Sequence, residues 1–216
     1  MVKVVWGVDS SVSVNDEVLN CVQKQFGHPD FWGRYLSTVP GTSEGLTKNE
    51  ILFLKAKGIK ILPIYNNFEQ SVGKSNGVVA ARNAVYNASR LGIRKGTVIF
   101  ANIERFFDVD AQWLIGWVET LYTSVYRPGF YFDPIVGDFN GQYCKAINES
   151  TLMKNQSILW SAKPEKGISN KRSHPKYAPR GPNCSGNVWA WQYGRDAKVC
   201  PIDTNLAEMK LFELMH

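Results

Sequence analysis

The chain predicts an α/β protein, a single (β/α)-barrel of TIM type over residues 1–216. Three observations carry this. Short apolar runs alternate with longer segments of helical period, the pattern of parallel strands covered on their outer side. The alternation is clear through five βα units and then loosens, which fits a closed barrel of about eight strands better than an open doubly wound sheet. The turn after the first strand reads G-V-D-S-S-V-S from Gly7 to Ser13 rather than G-x-G-x-x-G, which disfavours a dinucleotide-binding fold.

Val2 to Val8 is the first strand. Val14 to Phe26 then sets Val14, Val18, Cys21, Val22 and Gln25 near one helical face, with Ser13 as the expected cap. Phe31 to Leu36 is the second strand. Thr47-Lys-Asn-Glu50 is a capping-box sequence before Ile51, Leu52, Leu54 and Lys55, and Gly58 is placed to end that helix in a left-handed turn. Lys60 to Tyr65 follows as the third strand, Val78 to Leu91 as a helix closed by Gly92, Thr97 to Ile103 as the fourth strand, and Ala111 to Val125 as a helix rich in Trp and Leu. Gly129 to Phe132 makes a short fifth strand. Beyond it, Gln142 to Glu149 reads as helix and Ser157 to Ala162 as strand. Lys163 to Cys184, polar and rich in Pro and Gly, reads as a long loop. Val188 to Tyr193 returns to strand, and Leu206 to Leu214 is expected to close the chain as a helix.

Composition narrows the function classes. Hydrophobic residues at 44% and charged residues at 20% argue against disorder, and no apolar run approaches the ~18 residues of a membrane span. A formal charge of +6 is too small by itself to indicate nucleic-acid binding. Cys21, Cys144, Cys184 and Cys200 form no C-x-x-C pair and His28, His174 and His216 are scattered, so no metal site is expected, and nothing calls for a cofactor. The start lacks the charged, apolar and small-residue segments of a signal peptide, so the chain is expected to stay inside, leave by another route, or have been trimmed. In that setting free thiols edge out a Cys184–Cys200 disulfide closing the loop around Trp191, while Cys21 and Cys144 are expected to stay free. The segment from Lys163 to Arg180 carries six basic residues against Glu165 alone, and this loop is expected to border the active mouth and steer an anionic polymer.

In such a barrel the chemistry sits where the strands end, because the βα loops converge there. That rule selects Asp9 on the first strand, Arg34 and Tyr35 on the second, Tyr65 and Asn66 on the third, Asn102 and Glu104 on the fourth, and Tyr131 and Asp133 on the fifth. Trp160 follows on the sixth, then Trp191, Gln192 and Tyr193 on the last strand, with Asp203 and Asn205 beyond it. Acids facing one another among aromatic rings are what glycoside hydrolysis needs: one carboxyl to protonate the leaving oxygen, another to attack or stabilise the oxocarbenium-like carbon, and flat rings for the sugar faces. Each residue alone has a plainer reading: Asp9 as a cap, Arg34 as its partner, the aromatic rings as core. The ring of strand ends, taken together, favours chemistry.

Five pieces in order carry a family resemblance: G-V-D at Gly7 to Asp9, G-R-Y at Gly33 to Tyr35, L-T-K-N-E at Leu46 to Glu50, K-I-L-P-I-Y at Lys60 to Tyr65, and W-Q-Y…P-I-D-T-N from Trp191 to Asn205. The chain resembles the glycoside-hydrolase-like domain of unknown function related to the family 25 lysozymes. That resemblance implies a (β/α)5β3 barrel and N-acetylmuramidase chemistry on cell-wall glycan, so a polysaccharide is the expected partner. The Asp-x-Glu of the lysozymes at the fourth strand end stands here as Asn102-Ile103-Glu104, so the resemblance implies that the proton donor is kept and the first acid is an amide. Three functions remain open: a glycosidase with Glu104 as general acid and Asp9 or Asp133 as second carboxylate, a non-catalytic carbohydrate-binding barrel, and a phosphate-handling barrel. The last lacks a Gly-rich phosphate loop late in the chain. Reducing-sugar release separates the first two. Strand alternation places Asn102 and Glu104 on one side, facing the interior, and a carboxyl partly desolvated there by Tyr65, Tyr131 and Trp191 is expected to hold its proton more tightly.

Overall fold

The computed structural model describes residues 2–216 and shows a closed eight-stranded barrel in which the strands follow one another in sequence order. Strand β1 (Val4–Asp9) leads to helix α1 (Asp16–Gln25), β2 (Phe31–Tyr35) to α2 (Lys48–Ala56), β3 (Lys60–Tyr65) to α3 (Lys74–Leu91), and β4 (Val98–Ile103) to α4 (Ala111–Tyr122). Two helices, α5 (Phe139–Glu149) and α6 (Thr151–Gln156), follow β5 (Arg127–Phe132). After β6 (Ile158–Ala162) come β7 (Asn187–Gly194), β8 (Asp203–Glu208) and the short α7 (Met209–Phe212). Five strands with helices and three without make the (β/α)5β3 arrangement.

Local chemistry sets the helix ends. Asn15, not Ser13, caps α1, its side chain accepting from the Val18 amide, and Asp110 does the same for α4 through the Trp113 amide. Thr47 caps α2 by accepting from the Glu50 amide, and Gly58 and Gly92 take the left-handed turn after α2 and α3. The expected capping box is only half formed, because the Glu50 side chain is drawn to Arg34.

The expected helix over Leu206–Leu214 is corrected. Residues 203–208 form β8, which runs antiparallel to both β7 and β1 and closes the barrel, leaving only one turn of helix behind it. A short connection from β7 reverses the chain, so β8 begins at the end of the barrel where β1 to β7 finish. Asp203 therefore lies beside Asp9, and Gln192 beside Asn205.

Alternation along the strands separates two cores. Inside the barrel Phe31, Leu62, Ile64, Val98, Phe100, Ile158, Trp160 and Ala207 pack together, with Leu211 and Met215 joining them from the closing turn. Outside, Trp32, Ile61, Ile99, Phe130 and Leu206 pack beneath α1 to α5. Where helices are missing, the loop from Lys163 onward covers the wall. Trp191 Nε1 donates to the Lys163 carbonyl, Ser161 Oγ to the Arg180 carbonyl, Tyr177 Oη to the Val188 carbonyl, and Tyr193 Oη to the Ser169 carbonyl. Lys171 pairs with Asp30 at 2.7 Å, at the end of β2 opposite the mouth. The basic loop is thus an outer-wall strap: it borders the mouth only where it leaves β6, the Lys163 amide donating to the Gln192 carbonyl, and it carries Lys171 to the far end.

The cysteines are corrected too. Cys21 on α1 bonds Cys200 in the β7–β8 connection, and Cys144 on α5 bonds Cys184 at the end of the strap. Each bridge ties a helix to the helix-free side, and both span long stretches of chain, with sequence separations of 179 and 40. Loop-closure entropy makes such bridges worth about 2–4 kcal/mol each. Replacing Cys144 and Cys184 together with Ser is expected to lower the unfolding free energy from urea melts by that order, and reductant is expected to lower the midpoint of the unmodified protein. A midpoint indifferent to reductant contradicts the pairing.

Candidate active site

The mouth is built from inward-facing residues at one level of the sheet. Asp9 at the end of β1 is buried, and its Oδ1 accepts from Asn205 Nδ2 at 2.6 Å and from Gln192 Nε2 at 3.1 Å. Gln192 Nε2 also donates to Asp203 Oδ2 at 3.0 Å, and the other Asp203 oxygen accepts from the Asp196 amide. The carbonyl end of the same Gln192 accepts from Tyr131 Oη at 2.9 Å and from Arg195. Below this layer Trp160 donates from Nε1 to Asn205 Oδ1 and meets Tyr131 and Phe100 edge-on, forming a fully buried floor. Gly33 is required here: a Cβ at that position would stand 2.7 Å from the Asp9 Cβ and 2.9 Å from the Trp160 ring. Above the layer opens a cavity of about 310 Å³ lined by Asp9, Ser10, Ser11, Tyr35, Asp196, Pro201, Ile202 and Asp203.

Glu104 stands across a narrow cleft shared with Arg105, Tyr131, Asp133 and Arg195. Asn102 Nδ2 donates to Glu104 Oε1 at 2.9 Å, so a neutral amide orients the carboxyl. Among the described residues no cation lies within ion-pair distance of Glu104. Asp133 reaches the same cleft, but its Oδ1 is held by the Ile135 and Val136 amides as the pivot of a turn.

Burial sets the electrostatics. Asp9 is pushed upward, chiefly because its charged form is desolvated, against the hydrogen bonds from Asn205 and Gln192. Asp203 is pushed up to about 8 by desolvation and by the neighbouring charge of Asp9. The Tyr35 and Tyr131 hydroxyls are raised by burial and by the acids around them, so both remain neutral donors.

Several expected sugar contacts are corrected. Tyr65 faces outward and stacks on Trp117 of α4, and Trp191 and Tyr193 face outward beneath the strap. Gln192 between them faces in, as a strand's two-residue period requires. Arg34 is also on the outer side, fully buried, with Nε 2.6 Å from Glu50 and Nη1 donating to the Ser10 carbonyl. It braces α2 against β2. Asn66 faces the interior and donates to Ser43 Oγ, and Trp160 lies below the reach of a ligand. Asp9, Tyr35, Asn102, Glu104, Tyr131, Asp133, Gln192, Asp203 and Asn205 are brought together at the mouth. Sequence reasoning missed Arg195, whose only signal was its position directly after the Trp191–Gly194 strand end.

The fold and this acid-and-amide mouth define a glycoside-hydrolase-like barrel. The family model of the Rv2525c-like, glycoside hydrolase-like domain matches residues 27–199, and the chain belongs to that family. An uncharacterized B. stearothermophilus protein is 53% identical, with a TM-score of 0.96 over 98% of this chain and 100% of that one. The Tat-secreted protein Rv2525c of Mycobacterium tuberculosis, solved in complex with L-tartrate, shares the fold at 16% identity and a TM-score of 0.61, over 93% of this chain and 94% of that one. A family 25 glycosyl hydrolase from Bacillus anthracis shares it at 13% identity and a TM-score of 0.57, over 97% and 92%. No curated protein matches the chain.

The raised Asp203 has a signed consequence. Unfolded, it ionises near its ordinary value of 3.8; folded, it keeps its proton to about 8. The folded state therefore binds the extra proton across that window, and its stability falls as pH rises through it, levelling off above. Urea midpoints measured from pH 4 to 9 are expected to show this decline, on the order of a few kcal/mol in all. In Asp203→Asn the decline is expected to be shallower, with the part due to Asp9 remaining. An identical slope in both proteins contradicts the assignment.

Proposed function

We propose that the protein is a glycoside hydrolase acting on cell-wall peptidoglycan or a related amino-sugar polysaccharide, with Glu104 as general acid. The observation that carries this reading is the pairing of two kinds of carboxyl in one mouth. Glu104 is free of any ion pair and oriented by a neutral amide, while Asp9, buried, and Asp203, half-buried, sit on the facing wall, held by Gln192 and Asn205. A sugar lying over Tyr35 and Tyr131 places its glycosidic oxygen toward Glu104 and its reactive carbon toward Asp9, the division of labour that glycoside cleavage requires. Asp9 takes the second carboxylate role in preference to Asp133, whose Oδ1 is occupied by the turn. Membership in a glycoside hydrolase-like family and the fold shared with a family 25 glycosyl hydrolase support the reaction class.

The substitution at Asn102 favours a second reading, a barrel that holds glycan without cutting it. Reducing-sugar release from purified cell walls separates the two. Wild type is expected to release sugar, and Glu104→Gln to lose roughly a hundredfold or more of that rate while remaining folded, the usual scale for removing a general acid. Cleavage at the wild-type rate in Glu104→Gln contradicts the assignment, and sedimentation with the walls without any release establishes the binding barrel instead.

A further inference from the structure

Arg195 has a surrounding unlike that of the buried Arg34. It follows β7 and is partly buried at the mouth, with Nε at 3.3 Å and Nη2 at 3.2 Å from Gln192 Oε1 and Nη2 at 3.0 Å from Tyr131 Oη. Both partners are neutral. Among the described residues no carboxylate lies within ion-pair distance of it and Nη1 has no hydrogen-bond partner, whereas Arg34 is neutralised by Glu50 at 2.6 Å. A guanidinium fixed along one side by uncharged acceptors and lacking a counter-ion keeps its field, and its planar fork matches a carboxylate.

The position of that charge matters. Arg195 shares the narrow cleft with Glu104 and Asp133, and Asp203 lies on its other side, hydrogen-bonded to the same Gln192. Arg195 and the exposed Arg105 are the cations of this otherwise acidic cleft, and Arg195 is the one anchored to Gln192 and Tyr131 of the mouth. Of the strap's cations, Lys171 is spent on Asp30 at the far end of the barrel and Lys163 on Glu165.

We infer that Arg195 is a receptor for a sugar carboxylate, so that the mouth selects an anionic sugar over its neutral counterpart. This rests on the glycan reading above and adds the substrate class. The carboxylate has two chemical sources, a lactyl ether on an amino sugar or the C6 acid of a uronic acid, and in each the recognition is the same.

Two matched pairs of probes test it by NMR titration of the whole chain. N-acetylmuramic acid is compared with N-acetylglucosamine, and methyl β-glucuronide with methyl β-glucoside. Wild type is expected to bind the acid of at least one pair about tenfold more tightly than its neutral partner, and the pair that shows the preference names the source. Arg195→Gln is expected to abolish the preference, and Arg195→Lys, which keeps the cation, to retain part of it. Equal affinities within both pairs in wild type, no binding of any probe, or a preference that survives in Arg195→Gln overturns the inference. Cell-wall cleavage is read separately: cleavage without the preference overturns only the role of Arg195, and the preference without cleavage overturns only the hydrolase reading.

Discussion

The amide of Gln192 is the interaction on which the rest of the mouth depends. Its nitrogen donates to Asp9 and Asp203, and its oxygen accepts from Tyr131 and Arg195, so one buried side chain fixes two acids, a phenol and a cation. An amide has distinct ends. Turning it over would set donors against donors on one side and acceptors against carboxylates on the other, and so the polarity of the network is locked in a single arrangement. The barrel supplies what this side chain needs: β8 is inserted antiparallel between β7 and β1, which brings Asp9, Gln192, Asp203 and Asn205 to one level.

Such a layer works against stability. Two carboxyls on the inner wall are desolvated, and the folded protein holds protons that the unfolded chain would release. The remainder of the fold offsets that cost with an aromatic interior below the layer, a continuous outer core under the helices, the buried Arg34–Glu50 pair and two disulfides on the side where helices are absent. Ionisable groups placed unfavourably for folding are the usual mark of a functional site.

Much of this was legible in the sequence because strand periodicity and helix punctuation are local. The first five βα units, Thr47 as a cap, Gly58 and Gly92 as helix ends, and the polar strand ends from Asp9 to Asn205 all follow from residues close to one another. What was not legible depends on distant partners. Whether Trp191 or Gln192 faces the interior depends on the register of β7, and outward burial under the strap makes Trp191 look like a sugar platform. Glu50 satisfies the capping pattern but answers to a buried arginine sixteen residues away. The residues of β8 have a helical look until their pairing with β1, nearly two hundred positions earlier, is known. Cysteine pairing is likewise a matter of which helix lies against which loop.

The central claim is that sugar binds across the mouth between Glu104 and the Asp9–Asp203 wall. It is tested most directly by a crystal structure of Glu104→Gln soaked with a cell-wall tetrasaccharide. A glycosidic oxygen is expected within about 2.6–3.2 Å of the residue 104 side chain, with one sugar ring over the layer held by Gln192. Glycan seated on the outer wall near the strap, with the mouth occupied only by water, would contradict it.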